Sequence, residues 1–274
     1  MSFTTADVVK LRKVSGAGMM DCKNALKDAE GDFERALEII REKGKLIANK
    51  RADRDAAEGV ALAKVTGDAK YGAIVVLNCE TDFVAKNESY VAFAEKILDA
   101  ALENKVESLE ALKAIELDGK SIESLVTEQT GVTGEKLDLS YFKCLADEAV
   151  VPYIHPGNKL ATLVSFNKTA QEQVGKDVAM QIAAMAPVAV DEDSIPQAEI
   201  DKELAFATEK YRNEGKPEAM IEKIALGSLN KWYKDVTLLN QAYVKDNKMS
   251  IKDFLKQSDA ELTVTAFDRY SLNA

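Results

Sequence analysis

The chain has 274 residues, 30% of them charged, with 46 Asp and Glu against 36 Lys and Arg and a formal net charge of −10. At 46% hydrophobic it reads as a folded chain with enough length to bury a core without disulfides, which excludes the disordered and membrane-spanning classes. The acidic balance argues against non-specific attraction to phosphate backbones, and the single histidine, His155, excludes metal sites built from several histidines.

Residues 1–7 contain no basic segment leading into an apolar stretch, so no secretory leader is expected, and no apolar run approaches membrane-spanning length. Residues 1–44 read as three short helices. Thr4-Thr5-Ala6-Asp7 fits a capping box ahead of Val8, Val9, Leu11 and Arg12. Ser15-Gly16-Ala17-Gly18 breaks that helix. Met19, Cys22, Leu26 and Ala29 share one face of the next, Gly31 stops it, and Asp32 caps a third helix striped by Phe33, Leu37 and Ile40. Residues 45–57, with Lys45, Lys50, Arg51 and Arg54 diluted by Asp53 and Asp55, are expected to be a linker or a solvated helix and make a weak nucleic-acid signal.

The middle of the chain echoes itself. Glu58-Gly59-Val60, a turn at Gly67-Asp68, and Gly72-Ala73-Ile74-Val75-Val76-Leu77-Asn78 read as a β-hairpin. Glu148-Ala149-Val150, a turn at His155-Pro156-Gly157-Asn158, and Ala161-Thr162-Leu163-Val164-Ser165-Phe166-Asn167 repeat the scheme. An Ala-rich amphipathic helix follows each hairpin, at Val91-Ala92-Phe93-Ala94 and at Val178-Ala179-Met180-Gln181. The expectation is an α+β chain with two related subdomains, 58–140 and 141–274, each an antiparallel sheet with helices on one face. A helical hairpin at 196–233 is inserted in the second. Its first arm carries a seam of Ile200, Leu204, Ala207 and Tyr211, Gly215 and Pro217 form the turn, and Ile221, Ile224 and Ser228 mark the return.

Little of the familiar chemistry is present. Gly16-Ala17-Gly18 lacks a preceding strand and a third glycine, so it is no dinucleotide fingerprint. Gly131-Val132-Thr133-Gly134-Glu135-Lys136 has the wrong spacing for a phosphate loop, and no Ser or Thr follows its lysine. His155 falls in a turn, where a local structural role is expected, and an acid–base role would need an aligned partner. Cys22, Cys79 and Cys144 are odd in number and widely spaced, which suits packing roles in a reducing, cytoplasmic setting. The segment Asn78-Cys79-Glu80-Thr81-Asp82-Phe83-Val84-Ala85-Lys86 leaves a buried-looking strand for a helix. It reads equally as a capping loop with a tucked-in Phe83 or as a wedge that presents an aromatic and a carboxylate to a partner.

Two stretches carry a family resemblance. Leu11-Arg12-Lys13-Val14-Ser15-Gly16-Ala17-Gly18-Met19-Met20-Asp21-Cys22-Lys23-Asn24-Ala25-Leu26 resembles the N-terminal signature of the translation elongation factor Ts family. Asn78 through Lys86 is similar to the family's second signature, in its order and at its approximate separation. The likeness extends more weakly through Val178-Ala179-Met180 and the Gly215-Lys216-Pro217 turn.

The resemblance implies a guanine nucleotide exchange factor, with no catalytic residue, cofactor or metal of its own. Its partner would be elongation factor Tu, the GTPase that carries aminoacyl-tRNA to the ribosome. It would bind the GDP complex and disturb its magnesium site, and whether it stays bound with GTP and aminoacyl-tRNA is left open. The resemblance further implies a ubiquitin-associated (UBA)-like N-terminal bundle that contacts the GTPase through Arg12, Gly18, Met19, Met20 and Asp21. The magnesium-dislocating loop would be Thr81, Asp82, Phe83 and Val84. The second subdomain would grip another domain of the partner, and the helical hairpin would add association surface, self-association included. Direct nucleic-acid or membrane binding is not expected. Three positions depart from the pattern: Val76 where many members carry Glu, Asp177 where many carry His, and Ser15 for a common Thr. Rival readings are an adaptor whose N-terminal bundle binds ubiquitin-like surfaces, and an enzyme using Asp82 or His155 in a small-molecule pocket.

Overall fold

The computed structural model describes residues 3–273 and is an α+β fold with antiparallel sheets. It opens with α1 (Thr5–Ser15), α2 (Met19–Asp28) and α3 (Phe33–Arg51). The Thr4 hydroxyl accepts the Asp7 amide while the Asp7 carboxylate accepts the Thr4 amide, closing the expected capping box. Gly16 ends α1 at φ +72°, an angle a Cβ would crowd, and its amide bonds the Arg12 carbonyl at 2.8 Å. Val8, Leu11, Cys22, Ala25, Leu26, Ala29 and Ala36 close into a small core. Met19 is not part of it. As the first residue of α2 it is 38% exposed, and the buried stripe begins one turn later at Cys22.

The first sheet joins β1 (Glu58–Val65), β2 (Tyr71–Cys79) and β5 (Asp138–Ala146) in the order β1-β2-β5. Between β2 and β5 the chain forms α4 (Asp82–Ala85), α5 (Glu88–Asn104), α6 (Leu109–Ala114), the short pair β3 (Glu116–Leu117) and β4 (Lys120–Ser121), and α7 (Ile122–Thr133). The second sheet joins β6 (Ala149–Ile154), β7 (Leu160–Phe166) and β10 (Val264–Ser271) in the order β10-β7-β6. Between β7 and β10 lie α8 (Glu172–Met185), α9 (Gln197–Asn213), α10 (Glu218–Val236), β8 (Ala242–Tyr243), β9 (Asp246–Ser250) and α11 (Ile251–Ser258). Both expected hairpins form, β1 with β2 and β6 with β7. In each sheet the third strand adds beside the hairpin's second strand.

Every residue of β2 is buried because both of its faces are covered. Ala73, Val75 and Leu77 pack toward α5 with Ala94, Ile97 and Leu98. Ile74 and Val76 join Ala61, Ala63, Val150, Ala161 and Leu163 in a layer between the two sheets. That two-sided cover is why β2 reads as an unbroken apolar run, where a half-buried strand would alternate. Val76 is fully buried in that layer.

Two expected boundaries shift. The division at 140/141 falls inside β5, which pairs with β2 from Asp138 to Ala146 and belongs to the first sheet. Its two faces are unevenly covered, so its sequence carries no clean alternation. The stretch 45–57, expected to be a linker or a solvated helix, is helical as far as Arg51. There α3 has a surface to dock on: Gly44 is buried, and a Cβ built at Gly131 of α7 would lie 2.2 Å from the Gly44 Cα.

The helices α9 and α10 form the expected hairpin. Ala207, Ile221, Ala225 and Leu229 are buried along its seam, and Ile200, Leu204 and Tyr211 are half-buried. Phe206, Met220 and Leu226 stay exposed on its outside.

Asp177 faces inward from α8 and is only 6% exposed. Its carboxylate accepts hydrogen bonds from Tyr243 Oη at 2.5 Å, Lys245 Nζ at 2.7 Å and Gln173 Nε2 at 2.7 Å. Burial by itself would raise its pKa, but the donors from Lys245, Tyr243 and Gln173 together bring it below the ordinary carboxylate value. Asp177→Asn keeps the shape and removes the charge. At neutral pH it is expected to destabilise the fold by about 1.5–3 kcal/mol, the range for hydrogen bonds to a charged group. A lowered native pKa confers stability that is present above the unfolded value of about 4. It is lost as pH falls through the native value. Urea titrations of both proteins should therefore converge in acid, and a gap that stays constant from pH 7 to pH 2 would contradict this role.

Candidate functional site

The turn after β2 leads through a side-chain cap into a single-turn helix. Thr81 takes extended angles (φ −128°, ψ 153°) and caps the single-turn helix α4, its hydroxyl facing the Val84 amide. Asp82 opens the helix, where a negative charge suits the N-terminus, and pairs with Lys86 one turn on at 2.6 Å. The Lys86 ammonium holds the Asp82 carboxyl below its ordinary pKa. Ala85 is buried in the first core and Val84 packs against it. Phe83 has no such cover and is 83% exposed, the highest value for any large apolar side chain among the described residues. The capping half of the expectation is therefore present, and the tucked-in aromatic is not.

Since Phe83 has almost no contacts of its own, its position is set by the residues before it. The Glu135 carboxylate accepts the Thr81 amide at 3.0 Å and the Thr81 hydroxyl at 2.6 Å. The Glu80 carboxylate accepts the Lys136 amide at 2.6 Å, and Arg51 Nη1 donates to both of its oxygens at 2.8 Å. That amide hydrogen bond, assisted by Arg51 and opposed by partial burial, keeps the Glu80 carboxyl below its ordinary pKa. Beneath the turn, the buried Cys79 thiol faces the Thr81 carbonyl at 3.2 Å, and burial pushes its pKa up to about 11. The Tyr90 hydroxyl donates to the Leu77 carbonyl at 2.6 Å. Asn78 bonds the Glu58 carbonyl at 3.2 Å and accepts from Ser140.

The second group of expected residues stands on the N-terminal helices. Gly18 is the N-cap of α2 and brings no side chain to it. Asp21 lies in the first turn, with its Oδ2 3.2 Å from where a Gly18 Cβ would sit. Arg12, Met19, Met20 and Asp21 are all exposed, Met20 at 64%. The structure thus displays two outward-facing sets, Gly18–Asp21 with Arg12, and Asp82–Phe83. They stand on separate elements, and the Arg51–Glu80 pair ties the end of α3 to the turn that carries Phe83.

Reasoning from the sequence missed Glu80, Glu135, Lys136 and Arg51 as parts of this site. Glu135 and Lys136 were visible only as the end of an unsuitable phosphate loop. In the fold, that segment is the last turn of α7, capped by Gly134, with Glu135 and Lys136 just beyond it. His155 is exposed in its hairpin turn, 3.0 Å from the Tyr153 hydroxyl through Nδ1. It borders a shallow cleft with Tyr153, Met180, Asp177 and Lys245, in which Asp177 is engaged by its own three donors. Cys22 and Cys79 are buried, and Cys144 is half-buried. Among the described residues no helix is long and apolar enough to cross a membrane.

Comparison with known proteins agrees with the signatures. A family profile described as elongation factor TS matches residues 80–274. The chain is 48% identical over 275 residues to the elongation factor Ts of Porphyromonas gingivalis, with all of both chains covered. It is 51% identical over 271 residues to that of Christiangramia forsetii, with 98% of each covered. Against that of Amoebophilus asiaticus it is 49% identical over 277 residues, again with both chains covered in full. The N-terminal helices lie outside the profile match and inside the two alignments that cover the whole chain.

Proposed function

As the chain belongs to the elongation factor Ts family, we propose that it is the nucleotide exchange factor of elongation factor Tu in translation elongation, working in the cytoplasm and catalysing no covalent chemistry. The observation that carries the reading is Phe83, 83% exposed on a capped turn whose preceding residues are held by charged hydrogen bonds. An exposed aromatic on a braced support suits insertion into an apolar crevice of a partner.

In this reading the protein binds the GDP complex through two surfaces. Residues Arg12, Gly18, Met19, Met20 and Asp21, on a UBA-like bundle, contact the GTPase domain. Thr81, Asp82, Phe83 and Val84 form the wedge. Phe83 displaces the element that supports the partner's magnesium ion, the phosphates lose charge compensation, and GDP leaves faster. Linkage requires reciprocity: a factor that weakens GDP binding by some ratio is itself weakened by GDP to the same extent. The factor therefore supplies speed, and the more abundant nucleotide supplies direction. The matching strand order of the two sheets supports reading them as related subdomains. The second grips another domain of the partner, and the helical hairpin adds association surface.

The test is release of fluorescent GDP from elongation factor Tu, with catalytic amounts of this protein and excess unlabelled GDP. Acceleration through many turnovers is the expected result. No acceleration with a cognate partner would overturn the reading and favour an adaptor role for the N-terminal bundle.

A further inference from the structure

We infer that Glu135, Glu80 and Arg51 are positioning residues for Phe83, and that they hold the N-terminal helices and the wedge at one fixed spacing. This rests on the exchange reading above and adds to it a joint between the two partner-facing surfaces.

The joint is the segment 131–136, which resembles a phosphate loop in composition and binds protein instead. Gly131 lets α3 approach α7 until a Cβ built there would overlap the Gly44 backbone. Gly134, at φ +73°, ends α7 and turns the chain. Glu135 then takes both the amide and the hydroxyl of Thr81. Lys136 donates its backbone amide to Glu80, and its ammonium bonds the carbonyls of Ala52 at 2.8 Å and Arg54 at 3.0 Å, where α3 has just ended. Arg51, in the last turn of α3, completes the clasp on Glu80. Six residues of chain thus grip the exit of α3 and the entry of α4 together.

The clasp matters because Phe83 cannot fix its own position. An exposed side chain on a four-residue helix sits where its backbone puts it, and a backbone free to wander must be ordered again when the partner binds. Bracing the turn beforehand removes that cost at the step where the wedge enters. Loosening it should lower the maximal release rate, while the N-terminal surface still sets most of the affinity.

The experiment uses the full chain and measures GDP release from elongation factor Tu across factor concentrations, with Glu135→Ala, Glu135→Gln and Arg51→Ala made in wild-type and Phe83→Ala backgrounds. Glu135→Ala is expected to lower the maximal rate about tenfold, the scale of losing charge-assisted hydrogen bonds, and to move the half-saturating concentration by no more than about twofold. Glu135→Gln, which keeps an acceptor for the Thr81 amide, should restore most of the rate. Arg51→Ala should act in the same direction. In the Phe83→Ala background neither loss should appear, since a residue acting through Phe83 has nothing left to position. Amide hydrogen exchange, measured without partner, should speed up over residues 80–86 in Glu135→Ala and stay unchanged in α5.

Full maximal rate in Glu135→Ala would overturn the inference and leave the exchange reading standing. So would losses that simply add to Phe83→Ala, or protection at 80–86 equal to wild type. A wild-type protein that fails to accelerate release would overturn the exchange reading, and this inference with it.

Discussion

Replacing Phe83 by alanine is expected to slow partner-stimulated GDP release by roughly 30-fold at subsaturating factor, the rate equivalent of losing a buried aromatic anchor worth about 2 kcal/mol. The fold should be indifferent to the change. Phe83 is 83% exposed, and surface substitutions of this kind typically stay within about 0.5 kcal/mol of wild type. The pairing of a large functional loss with an unchanged melting curve is what separates a presented aromatic from a packing one. Thr81 caps the turn and Ala85 anchors it from the inside, so the alanine variant should retain the turn and lack only the ring. Stimulated release at the wild-type rate would sink the wedge. A fall in melting temperature large enough to explain the loss would mean that Phe83 packs in solution.

Gly131→Ala is expected to destabilise the protein by about 1–3 kcal/mol, although alanine is the better helix former by about 0.5–1 kcal/mol. The new Cβ would lie 2.2 Å from the Gly44 Cα and 3.2 Å from its carbonyl carbon. Both are backbone atoms, so no rotamer change relieves the overlap and α3 must move off α7. Because Arg51 sits at the end of α3, that shift should also strain its pair with Glu80. Gly44→Ala is the internal control. Its Cβ would meet the Gly131 Cα at 3.4 Å, an ordinary contact, and its effect should be near zero or slightly favourable. Thermal unfolding of the two variants, with tryptic cleavage at Arg51 and Arg54 as the local readout, checks the asymmetry. Equal melting of both would show that the two helices do not cross as closely as described.

The sequence by itself determined what depends on neighbours a few residues apart. The Thr4–Asp7 capping box, the left-handed stop at Gly16, both β-hairpins and the arms of the helical hairpin all follow from caps, turn residues and periodicity, because those interactions close within a turn of helix or across one tight loop. The two signatures carried the family, and the loop at 78–86 was legible as a boundary between strand and helix. Whether Phe83 faces inward or outward was not legible, since a four-residue helix has no periodicity to read. The tertiary structure decided it by burying Ala85 and leaving Phe83 uncovered. It also decided that α3 runs on to Arg51, that β5 completes the first sheet, and that Asp177 faces inward among its donors. The clasp is the clearest case. Arg51 and Glu80 are 29 residues apart, Thr81 and Glu135 are 54 apart, and Glu80 and Lys136 are 56 apart. A hydrogen bond formed across such a distance leaves no mark on the residues beside it, and only folding brings its partners together.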